Sequence, residues 1–176
     1  MKALIAKLLQ AYRQAGLDNG DGLLPPASSE EIEHVSRELG VPVHPDLRAI
    51  WLASGGQRDL GAGVSGLLGR HRLLCPAEAI EEHRLIWDAE PNEVPLGTPP
   101  RLYNRPVPEL VPFGSWDAYA LCIHAVTGEV WEYLPSPGLL RHRPDIPAVL
   151  RELEEVVRAG AEADLRWETP EAESGA

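Results

Sequence analysis

The sequence predicts an α+β fold in a single domain, a mostly antiparallel sheet with helices packed against it. Three observations carry this: a helical hairpin with chemically explicit ends at 23–56, two alternating apolar stretches joined by Thr127-Gly128, and an amphipathic helix after Asp145. At 176 residues the chain suits one core and buries roughly two-thirds of its unfolded surface on folding.

The elements follow in order. Leu4, Leu8, Tyr12 and Ala15 form a helical stripe near the start. Ser28 with Glu31 three residues on is a capping box, in which the hydroxyl accepts from a first-turn N–H and the carboxylate reaches back to the cap N–H. Ile32, Val35 and Leu39 continue that helix, and Gly40 and Pro42 end it. Pro45 suits the first turn of a second helix with Leu47, Ile50 and Trp51 inward, expected to run through Ser54 until Gly55-Gly56 stops it. Residues 70–74 read as a short strand, and Pro76 opens a helix whose Ile80, His83 and Trp87 share a face.

Residues 88–109 hold Pro91, Pro95, Pro99, Pro100, Pro106 and Pro108. Each proline removes a backbone donor, so a long loop is expected. Strands are predicted around 110–113, 118–124 and 130–134, with another at 139–142. Tyr119, Leu121 and Ile123 point to one face of the central strand, Ala120, Cys122 and His124 to the other. Asp145, Pro147 and the stripe Ile146, Leu150, Leu153 and Val157 define the last helix. The domain is expected over 1–160, with 161–176 an acidic, flexible tail.

The string Leu-Pro-Pro, capped helix, Leu-Gly-Val-Pro, Pro-Asp-Leu-Arg-Ala, aromatic, Gly-Gly resembles the opening of the SUKH superfamily. That group includes the fungal Smi/Knr cell-wall assembly regulators and many bacterial toxin-immunity proteins. Val111-Pro112-Phe113-Gly114, Ala118 to His124, and Gly128-Glu129-Val130-Trp131 resemble its later strands. The glycine-rich acidic turn usual after Pro-Phe-Gly is shortened here to Ser115-Trp116-Asp117. The resemblance implies a noncatalytic protein-binding module, an immunity protein that neutralises a cognate toxin by direct binding, and the acidic charge of the chain suits a basic nuclease as that toxin. A housekeeping regulator or scaffold of the Smi/Knr type is the alternative it leaves open.

The formal net charge of -11 argues against a nucleic-acid binder held by phosphate contacts and favours a basic protein partner. A cytoplasmic location is expected, because the first residues lack an unbroken apolar core and a cleavage site, and no stretch is long enough to span a bilayer. The two cysteines, Cys75 and Cys122, read as buried thiols in a reducing compartment.

Chemistry is sparse, and no enzyme, cofactor or metal is expected. Gly61, Gly63 and Gly66 match G-x-G-x-x-G, but a helix precedes them and a strand follows, the reverse of a phosphate-binding turn. The six histidines are scattered without ligand spacing. Ser115, Asp117 and His124 lack a nucleophile-elbow context. The residues singled out for partner binding are Tyr103, Trp116, Asp117 and Trp87, aromatics and an acid in or beside loops.

Overall fold

The computed structural model describes residues 1–59, 61, 65–89, 109–134 and 138–160, without the side chains of 87–89 and 138–142. Its elements are α1 (Lys2–Ala15), α2 (Ser29–Leu39), α3 (Pro45–Trp51), β1 (Arg72–Leu73), α4 (Pro76–Ala89), β2 (Leu110–Trp116), β3 (Tyr119–His124), β4 (Val130–Leu134), β5 (Gly138–Arg143) and α5 (Ile146–Arg158). All strand pairs are antiparallel and the sheet order is β1-β2-β3-β4-β5, a meander in an α+β domain.

Local chemistry sets the helix ends. The Glu31 N–H donates to Ser28 Oγ at 3.2 Å and the Ser28 N–H to Glu31 Oε2 at 2.7 Å. The Ser28 N–H, and then the Ser28 hydroxyl, hold the Glu31 carboxyl below its ordinary value. Gly40 ends α2 in the left-handed region at φ 69°. In α3, Pro45 occupies the first turn and the His44 imidazole is the cap, its Nδ1 accepting from the Asp46 N–H at 3.2 Å. α3 stops at Trp51, short of the expected Ser54, because 54–56 turns away to bond the Pro-Pro stretch: Gly55 N–H donates to the Pro25 carbonyl and Ser54 Oγ–H to that of Leu24.

The other differences are also local. Ile5 and Ala11 join Leu8 and Tyr12 in the core, whereas Ala15 is exposed. The strand expected at 70–74 pairs only at Arg72 and Leu73. β2 runs on through Ser115 and Trp116, so the turn is Asp117-Ala118 rather than 115–117. α4 includes Asp88 and Ala89; most of the expected proline-rich loop and all of the expected tail lie outside the described residues.

Proline is tolerated inside β2 at Pro112 for two reasons. β1 pairs only with Gly114 and Ser115, so it asks no donor of Pro112, and the register shifts between Pro112 and Gly114 around Phe113. That shift puts Phe113 and Gly114 toward the main core, where a side chain at 114 would press on Leu68 and Leu121, its Cβ 3.0 Å from Leu68 Cδ1 and 3.2 Å from Leu121 Cβ.

The main core joins α1, α2, α3 and α5 to one sheet face through Leu8, Ile32, Trp51, Phe113, Leu121 and Leu150. A smaller cluster, Ile86 of α4 with Leu110, Ala120, Cys122, Trp131 and Tyr133, occupies the other face. There, burial first and then the carboxylates of Glu82 and Glu132 push the Cys122 thiol far up. Cys75 is only part-buried, and burial again raises its thiol, so neither sulfur is a ready thiolate.

Trp51 ties the helical hairpin to the sheet. Its ring is fully buried and its Nε1–H donates to the Leu74 carbonyl at 2.8 Å. Trp51→Ala should therefore cost about 3–5 kcal/mol in chemical denaturation; a loss under about 1 kcal/mol would show that the hairpin does not anchor the core.

Candidate binding surface

The surface is assembled from a segment that the sheet itself leaves unpaired. Residues 65–71 approach β1 by way of isolated bridges, Gly66 to Gly69 and Leu68 to His71, so their remaining backbone groups need other partners. Buried side chains supply them. Asn19 Nδ2 donates to the Gly66 and Gly69 carbonyls, both at 2.9 Å, and the Tyr12 hydroxyl to that of Leu67 at 3.0 Å. Gln57 Oε1 accepts from the Leu67 N–H at 2.8 Å, while its Nε2 donates to the carbonyls of Asn19 and Asp21. Burial pushes the Tyr12 phenol well above its ordinary value, which keeps it a donor.

This clasp fixes Arg70 and His71. The Arg70 guanidinium lies over Trp116, 4.6 Å from the ring centroid, and 5.9 Å from that of Tyr119. Trp116 and Tyr119 face each other across the two-residue turn and stack at 5.2 Å with planes 28° apart. The His71 ring meets Trp116 edge-on at 6.4 Å. Beneath, His71 Nε2 is 3.0 Å from Glu132 Oε1, with the two side chains 0% and 1% exposed. Trp116 and Tyr119 remain part-exposed and Asp117 is exposed at the tip. Asp117 has φ 54°, a left-handed conformation that aspartate tolerates better than most residues.

Of the four residues chosen from sequence, the structure brings Trp116 and Asp117 together. Tyr103 lies outside the described residues, and Trp87 is on α4 with its side chain also outside them. Sequence reasoning missed Arg70, Tyr119 and the His71–Glu132 pair. The island Arg70-His71-Arg72 was a signal, as was Tyr119, the first residue after a two-residue turn that follows a tryptophan.

His124 belongs elsewhere. It pairs with Leu110 while Trp116 pairs with Tyr119, so β3 separates it from Ser115 and Asp117 and no triad forms. Its Nδ1 accepts from the backbone N–H groups of Val126 and Thr127 at 3.3 and 3.2 Å. Gly128, at φ 77°, lets the His44 imidazole approach this turn; a Cβ there would lie 2.6 Å from the ring. Burial lowers the His124 pKa and His44 adds to this, while Glu109 and Glu129 pull the other way. Among the described residues no group of three His, Cys, Asp or Glu side chains could hold a metal ion, and no helix is long and apolar enough to cross a membrane.

A five-stranded meander with helices packed on both faces, carrying an aromatic stack on one hairpin tip, defines an α+β domain that presents a shaped side-chain surface. The chain belongs to the SMI1 / KNR4 family (SUKH-1), whose pattern matches residues 26–155. No curated protein matches it. The match spans α2 through nearly all of α5 and includes Gln57 of the clasp, but not Tyr12 or Asn19, together with the hairpin.

Two outcomes follow. Glu132→Ala removes the carboxylate facing His71 and should destabilise by about 3–5 kcal/mol in denaturant titration, whereas replacing both partners by apolar residues should cost clearly less. For His124, a folded value below the ordinary one of about 6.5 means that the unfolded chain binds more protons. Its contribution is then complete above that pH and is lost as pH falls through the lowered folded value. His124→Asn keeps an acceptor for the turn and should flatten this part of the acid-side decline in thermal midpoint; identical profiles for both proteins would refute the assignment.

Proposed function

We propose that this protein is a noncatalytic binding module that neutralises or regulates a basic protein partner through the hairpin tip. The observation that carries the reading is the stack of Arg70, Trp116 and Tyr119 beside exposed Asp117, set on strands and a clasped segment rather than on a free loop. Aromatic side chains held in place before contact bury large area with little ordering cost, the property of interface anchors. A net charge of -11 speeds encounter with a positively charged partner.

Within the family, this combination fits an immunity protein that binds a cognate toxin, with a basic nuclease domain as the partner of matching charge. A Smi/Knr-type housekeeping regulator would use the same surface without a toxin. The thiols held protonated and the separation of His124 from Ser115 and Asp117 support the noncatalytic side of the proposal. A cytoplasmic setting suits two free cysteines.

The test is capture of a partner from the source cell, or of a neighbouring gene's product, followed by calorimetry and association kinetics. Trp116→Ala should lose roughly 2 kcal/mol or more of binding free energy. Asp117→Asn keeps a residue tolerant of the left-handed turn, so it should slow association, chiefly at low salt, with little change in dissociation. If both variants bind as fast and as tightly as the parent, the hairpin tip is not the site. Rescue of growth against a co-expressed neighbouring toxin separates immunity from regulation.

A further inference from the structure

Two histidines away from the partner surface share one chemical arrangement. His44 and His124 each use Nδ1 as an acceptor for backbone N–H groups, His44 for that of Asp46 at 3.2 Å and His124 for those of Val126 and Thr127 at 3.3 and 3.2 Å. An imidazole offers that lone pair only while neutral, because both ring nitrogens of the cation are donors. Each ring therefore holds its stretch of backbone only in the neutral form. His44 does so at the start of α3, and His124 does so across residues 125–128 between β3 and β4.

The two stretches meet. A Cβ on Gly128 would lie 2.6 Å from both Cε1 and Nε2 of His44, so that ring rests directly on the β3–β4 turn. The turn is otherwise closed by the Gly128 N–H donating to the His124 carbonyl and the His124 N–H to that of Glu129, both at 2.9 Å. The charged groups that face His124 are Glu109 just before β2, Glu129 in the turn and His44 before α3, with Asp46 in the first turn of α3 two residues from His44. The two carboxylates favour the His124 cation, whereas burial and a charge on His44 oppose it. A proton on one ring thus makes a proton on the other less favourable.

We propose that His44 and His124 are the two halves of a proton-operated latch that joins the start of α3 to the β3–β4 turn and is closed while both rings are neutral. A solvent proton on His124 withdraws the acceptor from Val126 and Thr127, and one on His44 withdraws it from Asp46. The freed N–H groups turn to water. Val126 is 68% exposed, so the turn reaches solvent without the core opening, and β3 stays held by its ladders to β2 and β4. The latch lies at the end of β3 opposite Tyr119, so it stands or falls independently of the partner surface at the hairpin tip.

Amide hydrogen exchange by NMR on the full chain tests it, across a pH series that brackets the ordinary imidazole value, with each rate divided by its intrinsic one. Below about pH 6.5 the protection of Val126 and Thr127 should fall about tenfold per pH unit, the slope of one linked proton, and level off at the lowered value of His124. His124→Asn keeps an acceptor that does not titrate, so protection there should become flat with pH. His44→Asn keeps a good cap for α3 and removes the second cation, so the loss at Val126 and Thr127 should be smaller and level off at higher pH. Glu109→Gln should make that loss larger and carry it to lower pH. The amides of Leu121 and Ile123 should keep their protection throughout and report that each variant remains folded. A flat profile in the parent would overturn the proposal. So would a profile unchanged by His44→Asn, which would leave two separate caps, or a loss that spreads equally to Leu121 and Ile123.

Discussion

The shortness of β1 is the constraint on which this structure turns. Two paired residues cannot satisfy the backbone of the segment that leads into them, and a buried N–H or carbonyl without a partner costs free energy comparable to a lost hydrogen bond. The protein places two amides and a phenol in the core to take over the task of a missing strand. Tyr12, Asn19 and Gln57 come from α1, the stretch after it and the stretch after α3 respectively, so the clasp also fastens the N-terminal third of the chain to the sheet edge. Because the clasp fixes 65–71, the residues on its outer side inherit that order. Arg70 covers an indole and His71, just before β1, meets a carboxylate on β4, three strands over in the sheet order, an arrangement that a free loop would not hold.

What could be read from sequence was whatever is decided within one turn or one alternation. The Ser28–Glu31 box, Gly40, Pro45 and the Asp145 cap each state a helix end in neighbouring residues, and the structure places each end there. The strands followed from alternation alone. Where a boundary depended on distant backbone the reading slipped: α3 ended early because the Pro25 carbonyl takes the Gly55 N–H, and β2 ran long because β3 continues its ladder to Trp116.

The site was half legible for the same reason. Trp116 and Asp117 stood out as an aromatic and an acid at a turn, but Asn19 and Gln57 sit among glycines and charged residues that give no local sign of burial. Their burial is a tertiary fact. Glu132 did leave a trace, as the lone acid in Val-Trp-Glu-Tyr-Leu, an apolar strand where a carboxylate demands a buried partner. Nothing local to either residue joins it to His71.

The left-handed backbone at the hairpin tip also bears on how such a protein can change over generations. Position 117 admits aspartate, asparagine or glycine at little strain, and a branched or bulky residue there would distort the turn that aligns Trp116 with Tyr119. Ala118 beside it is exposed and carries no such restriction. A lineage that retargets this surface thus has a narrow alphabet at one tip residue and an open one at the next, so divergence in partner choice should accumulate at 118 while 117 alternates between presence and absence of a single charge.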